Sequence, residues 1–180
     1  ATNILSRGPR SLEVNTPFTV AGVRGTEFYI SLESDQALIT VFEGEVLLPP
    51  GKANSGFMFR GQVEPNKVFG YQCEVDGDAN RAWSGGLYDE ARRMWFISPK
   101  KGDAASEAAF KQRAGGTFKR DDWNSYRITC KGKSIQIEVN GVVTTDIEDG
   151  KDASGVIGIQ HHGEKGQTYK FRNLRIKELK

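Results

Sequence analysis

The feature that most restricts what this 180-residue chain can fold into is a strict alternation of apolar and polar residues, interrupted at short intervals by turn residues. A period of two sends successive side chains to opposite faces of an extended strand, so these runs suit strands rather than helices. In "SIQIEVNGVVTT", Ile135, Ile137 and Val139 alternate with Gln136 and Glu138, and Asn140-Gly141 then supplies a pair able to take the positive φ of a tight hairpin. In "SYRITC", Tyr126, Ile128 and Cys130 alternate with Arg127 and Thr129. In "GYQCEVDG", Tyr71, Cys73 and Val75 alternate with Gln72, Glu74 and Asp76. "SGFMFRG" sets Phe57 and Phe59 against Met58 and Arg60. "GVIGIQHHG" and "YKFRNLRIKEL" read as further strands, and Asn124 in "DDWNSY" as the anchor of a strand start. Helical composition is confined to "DAASEAAFKQR" at 103–113, which Gly115 and Gly116 end. The N-terminal runs "FTVAGVRGTEFYISLE" and "ALITVFEGEVLLPP" are also β, joined by the turn "SDQ". Pro49-Pro50-Gly51 is the sharpest break and marks a segment boundary. The expectation is an all-β sandwich over 1–180.

Charge and composition narrow the function. Lys and Arg number 25 against 23 Asp and Glu, spread along the chain, which does not make a nucleic-acid face. No run approaches the roughly 20 apolar residues of a membrane helix, so membrane insertion is not expected. The opening residues lack a secretory-signal pattern, so Ala1 is read as a processed or an engineered start rather than a translated one. Cys73 and Cys130 have no metal-ligand spacing, and both are expected to point inward as free thiols rather than pair. Phosphate-binding glycine loops, serine nucleophile elbows and zinc-protease helices are absent from the sequence. Oligomeric state stays open.

Two stretches carry polar groups in suggestive order. On one strand Gln72, Glu74 and Asp76 project from a common face at roughly 6.6–6.8 Å intervals; the plain alternative is a solvated strand face. By the same parity Gln160 and His162 share a face, His161 joins Ile157 and Ile159, and Arg60 lies with Asn54 and Met58. The stretch "AWSGGLYDEARRMWF" at 82–96 gathers Tyr88, Asp89, Glu90, Arg92 and Arg93 between Trp83 and Trp95. It reads as a self-compensating ion-pair loop or as a sugar site, in which aromatic rings cover C–H faces and charged groups take hydroxyls.

"NSGFMFRG", "GYQCEVD", "RAWSGGLYDEARR", "DDWNSYRITCKGKSIQIEVNGV", "GVIGIQHHG" and "FRNLRIKEL" occur in the order found in the 3-keto-disaccharide hydrolase family, which residues 53–179 resemble. The first fifty residues depart from that family. There "NTPFTVAGVRGTEFYISLE" and "ALITVFEGEV", residues 15–48, resemble the FecR family of periplasmic signalling regulators. With no linker between the two, FecR-like strands of segment 1–50 are expected to complete the concanavalin/laminin-G-like jelly roll of segment 51–180. The resemblance implies a carbohydrate ligand and a bacterial periplasmic or envelope location.

It also implies a chemistry. A ketone at C3 of a glucoside acidifies the C2 proton, so a carboxylate or histidine can remove it while an acid protonates the departing C1 substituent and an arginine holds the enolate. Glu74, Asp76, Glu90 and His162 are the candidate proton-transfer groups. Arg60 or Arg92 is assigned to the oxyanion, and Gln72, Tyr88, Asp89, Arg93, Gln160 and Trp83 to substrate. A divalent metal also suits this donor set, though no local ligand motif requires one, and no other cofactor is implied. Two other functions fit the same sequence: a non-catalytic carbohydrate- or envelope-binding module, and an inert natural or engineered hybrid.

Overall fold

A computed structural model describes residues 19–24, 27–32, 39–48, 53–65, 67–161 and 169–178. Its strands are β1 (Thr19–Arg24), β2 (Glu27–Leu32), β3 (Ile39–Leu47), β4 (Asn54–Glu64), β5 (Lys67–Asp76), β6 (Leu87–Glu90) and β7 (Met94–Ser98). The helix α1 (Ala104–Ala114) follows, then β8 (Asn124–Lys131), β9 (Ser134–Val139), β10 (Val142–Glu148), β11 (Val156–His161) and β12 (Lys170–Glu178). Among the described residues these form a seven-stranded sheet, β1-β2-β11-β4-β5-β6-β7, and a five-stranded sheet, β10-β9-β8-β3-β12. The pairings are antiparallel throughout. No helix among these residues is long and apolar enough to cross a membrane.

The strands of the FecR-like stretch are built into both sheets. β2 pairs with β11, and β3 lies between β8 and β12. The turn at 33–38 and the break at 49–52 fall outside the described residues.

The alternation produces the core. Tyr71, Cys73 and Val75 of β5 are fully buried, as are Ile135, Ile137 and Val139 of β9. They meet Phe42, Phe57, Tyr126, Ile128 and Cys130 in one cluster between the sheets. Phe57 is its aromatic centre, with ring centroids 5.0 Å from Phe42, 5.3 Å from Tyr126 and 5.7 Å from Phe171. Cys73 and Cys130 are both buried free thiols. Asn140 and Gly141 take φ of 50° and 81°, closing the β9–β10 hairpin with Val139 beside Val142. Asn124 ties down the start of β8: its side chain accepts from the Lys119 amide and donates to the Lys119 and Asp122 carbonyls.

One strand departs from strict alternation. Met58 of β4 faces Gln72 of β5 and Gln62 faces Phe69, so four steps on β4 match three on β5. This bulge adds one residue and re-aims the side chains beyond it. Arg60, at φ 48°, sits inside it.

Phe57, on β4 of the seven-stranded sheet, meets aromatic rings from three strands of the five-stranded sheet, so its truncation leaves a void at the contact between the two. Phe57→Ala should cost about 3–5 kcal/mol, read as a lower urea midpoint with an unchanged slope.

Candidate functional site

Because Tyr71, Cys73, Val75 and Leu87 face the core, the intervening Gln72, Glu74, Asp76, Tyr88 and Glu90 lie on the outer face of the seven-stranded sheet. Gln160 of β11 joins them there. Gly56 makes this possible: a Cβ on it would come within 2.6 Å of the Gln72 side chain, which lies across the strand at that point.

These groups form a directional chain of hydrogen bonds. Gln160 Nε2 donates to Glu90 Oε2 at 3.1 Å. Gln72 Nε2 donates to Gln160 Oε1 at 3.0 Å and to Glu74 Oε2 at 3.2 Å. Glu74 Oε1 accepts from Asn54 Nδ2 and, at 2.8 Å, from Arg81 Nη2. Two carboxylates are thus linked through two amides, whose N–H ends point toward carboxylate oxygens. Glu74 is buried, and burial pushes its carboxyl from 4.5 up to about 7; Arg81 opposes the rise, Asp76 adds to it, and hydrogen bonds from Asn54 and Gln72 pull it down.

Asp76 organises the loop that follows it. Its Oδ1 accepts the Asp78 amide at 2.9 Å, and its Oδ2 accepts Arg81 Nε at 2.7 Å and the Trp83 amide at 3.1 Å. The loop is thereby folded back over the sheet. Arg81 lies near both Trp83 and Trp95, 5.6 and 5.8 Å from their ring centroids. Trp83 packs edge-on against Trp95 at 4.7 Å, and Tyr88 lies 5.0 Å from Trp95. Phe110 and Ala114 of α1 cover the tryptophans from behind. Both indoles are nearly buried, and Tyr88 is the more open ring.

Four residues expected at the site belong to other surroundings. The bulge aims Arg60 away from Glu74, and its Nη1 donates to the Gly132 carbonyl at 2.9 Å and the Asp152 carbonyl at 3.3 Å. Asp89, one step from Glu90 on β6, faces the opposite way, as the pleat requires. It is fully buried and accepts from the guanidinium groups of Arg92 and Arg93. Those arginines continue to Asp152 and Asp149. Burial alone would raise the Asp149 carboxyl, but hydrogen bonds from Arg93 and Tyr71 hold it at about 2. Burial and the bond to Asp149 push the Tyr71 hydroxyl up to about 12. The loop at 89–93 is therefore an ion-pair clamp on its inner side and contributes Tyr88 and Glu90 on its outer side. His162 lies outside the described residues.

Sequence reasoning passed over Arg81 and gave Asn54 no role. The available signal was "DGDAN": aspartates at 76 and 78 each accept an amide two residues on, at 78 and 80, the pattern of a chain turning back on itself. Among the described residues no three His, Cys, Asp or Glu side chains are grouped to hold a metal ion. The space between Glu74 and Asp76 is bridged by the Arg81 guanidinium.

Two sandwiches with this arrangement of sheets are a protein of Parabacteroides distasonis provisionally designated a glycosyl hydrolase and a carbohydrate-binding module of Bacillus subtilis. The first is 16% identical, with 91% of this chain and 88% of the other covered at a TM-score of 0.57. The second is 12% identical, with 87% and 85% covered at 0.54. The fold is a jelly-roll β-sandwich. The family profile described as the 3-keto-alpha-glucoside-1,2-lyase-like domain matches residues 34–177, and the chain belongs to that family, a carbohydrate-related one. A FecR protein profile matches residues 2–47. No curated protein matches the chain.

Glu74 provides a check on the electrostatics. Its raised carboxyl means that the folded state holds a proton the unfolded chain gives up. Its contribution is fully present below pH 4.5 and is lost as pH rises through about 7. Relative to Glu74→Gln, the unmodified protein should lose about 3 kcal/mol of stability between pH 4.5 and 8, measured by urea unfolding of both across that range.

Proposed function

We propose that the outer face of the seven-stranded sheet binds a 3-keto-glucoside and cleaves its glycosidic bond by elimination, with Glu74 as the base. The observation that carries this reading is a buried carboxylate raised to about 7, linked by hydrogen bonds to a second carboxylate on the same face. A base of that strength works near neutral pH, and an ordinary surface carboxylate is too weak for the task.

Glu74 takes the proton from C2, and the C–H electron pair forms a C2=C3 bond as the carbonyl pair moves to the C3 oxygen. That oxygen returns its pair, C1=C2 forms, and the C1–O bond breaks, its oxygen taking a proton from a water that Glu90 orients. Water added across C1=C2 restores the 3-keto sugar. Gln72 and Gln160 keep the two carboxylates in register, Asp76 holds the loop, and Tyr88 covers a sugar face with Trp83 and Trp95 behind it. His162 is retained as a proton-transfer group on the family motif, and a divalent metal is left to the assay. A cell-envelope location accompanies this reading through the FecR-like segment.

Glu74→Gln should lower turnover of a 3-keto-disaccharide by about 10²–10⁴-fold while leaving the protein folded. For the unmodified protein, kcat/KM should rise with pH along one ionisation near 7, because the base acts only when ionised. The parent disaccharide without the ketone should be untouched. Release of free sugar, followed with and without added divalent metal, measures all of this. Binding of the keto sugar without release in either condition would favour the binding-module function instead.

A further inference from the structure

We propose that Arg81 is the electrophilic catalyst of this site, its free guanidinium edge holding the C3 oxygen of the keto sugar as negative charge builds there. The proposal rests on the elimination reading above and adds to it the group that stabilises the enolate. The two arginines expected in that role are committed elsewhere, Arg60 to backbone carbonyls and Arg92 to Asp89 and Asp152. Arg81 is the guanidinium that bonds to Glu74.

Its geometry suits the task. A guanidinium carries five N–H donors in one plane. Arg81 uses Nε–H on Asp76 Oδ2 at 2.7 Å and one Nη2–H on Glu74 Oε1 at 2.8 Å. Nη1 has no hydrogen-bond partner among the described residues, so the edge away from the carboxylates keeps its donors. The Arg81 side chain is 35% exposed where that of Glu74 is 4%, so a ligand reaches the guanidinium before the carboxylate. Two carboxylate anchors and two neighbouring indoles hold the plane before any ligand arrives. Ala82, next in the chain, takes a φ of 53°, a conformation that alanine adopts only when its surroundings impose it. Here the Trp83 amide is turned back onto Asp76.

The arrangement also minimises charge movement. When the C2 proton passes to Glu74, the negative charge leaves a carboxylate already bonded to Arg81 and appears on an oxygen facing another edge of the same cation. The cation need not move, and donors fixed in advance are the ones that lower a barrier most.

The test compares Arg81→Gln and Arg81→Lys with the unmodified protein, using a 3-keto-disaccharide across pH 5–10 and following both sugar release and exchange of the C2 proton in deuterated buffer. Arg81→Gln should lose about 10²–10³-fold in kcat at every pH, plateau included, with exchange lost in parallel. Arg81→Lys keeps the charge and one anchor but lacks the second edge, and should lose nearly as much; it also serves if Arg81→Gln fails to fold. Partial recovery of Arg81→Gln by millimolar methylguanidinium would support the role further. A merely structural arginine gives a different result: the profile moves to another pH and full activity returns on the plateau, which would overturn the proposal and leave the elimination reading standing. Absence of both release and exchange in the unmodified, folded protein would overturn that reading and this proposal with it.

Discussion

The carboxylate of Asp76 is the constraint on which the candidate site depends. It is 1% exposed at the end of a core strand, where an ionised group is costly unless its oxygens are occupied. Two backbone amides and one guanidinium occupy them, all from the seven residues that follow. Ser84 completes the closure by bonding to both backbone groups of Asp76. Burying one charge thus dictates the path of an irregular loop and puts Arg81 and Trp83 where they stand. The next residue of that loop, Gly85, touches the other sheet: its carbonyl accepts from Thr144 and Thr145, its φ is 78°, and a Cβ on it would lie 2.3 Å from the Thr144 hydroxyl. A loop over the outer face is in this way referenced to the body of the sandwich.

β6 shows how four residues serve two purposes. Leu87 and Asp89 turn inward while Tyr88 and Glu90 turn outward. The inward aspartate is paired with two arginines that are themselves paired with Asp149 and Asp152, an arrangement that offsets desolvation with several charge-assisted hydrogen bonds. The outward pair meets Trp95 and Gln160. The dense polar stretch that looked like either an ion-pair loop or a sugar site is both, divided by the pleat.

Legibility in the sequence followed the range of the interactions. Period-two patterns identify Tyr71, Cys73, Val75, Ile135, Ile137 and Val139 as core because burial on a strand is a local, repeating property. The Asn140-Gly141 turn and the short helix were readable for the same reason. Arg60 was not, because a one-residue bulge reverses faces, and the glycine beside it, Gly61, does not say on its own where the extra residue falls. Arg92 and Arg93 looked available because, beyond the neighbouring Asp89, their partners Asp152 and Asp149 lie 60 and 56 residues away. Arg81 was invisible as a site residue since its place depends on how Asp76 folds a loop, and no alternation runs through that segment. The outer-face grouping of Gln72, Glu74, Tyr88, Glu90 and Gln160 was within reach of parity alone once the strands were correctly paired.

β3 has a consequence for how the chain is made. It is an interior strand of the five-stranded sheet, yet its neighbours in the sequence, β2 and β4, belong to the other sheet. Its partners are β8 and β12, and Thr40 waits for Glu178 near the far end of the chain. A ribosome emits β3 long before either partner exists, so both of its edges stay bare until β8 emerges. Such edges recruit whatever strand is nearest, including the same strand of a neighbouring nascent chain. Contacts of this sequence separation also form slowly. A strand that ties the FecR-like residues into the sandwich is therefore also one open to mispairing during synthesis, and crowded polysomes are where its assembly would go astray.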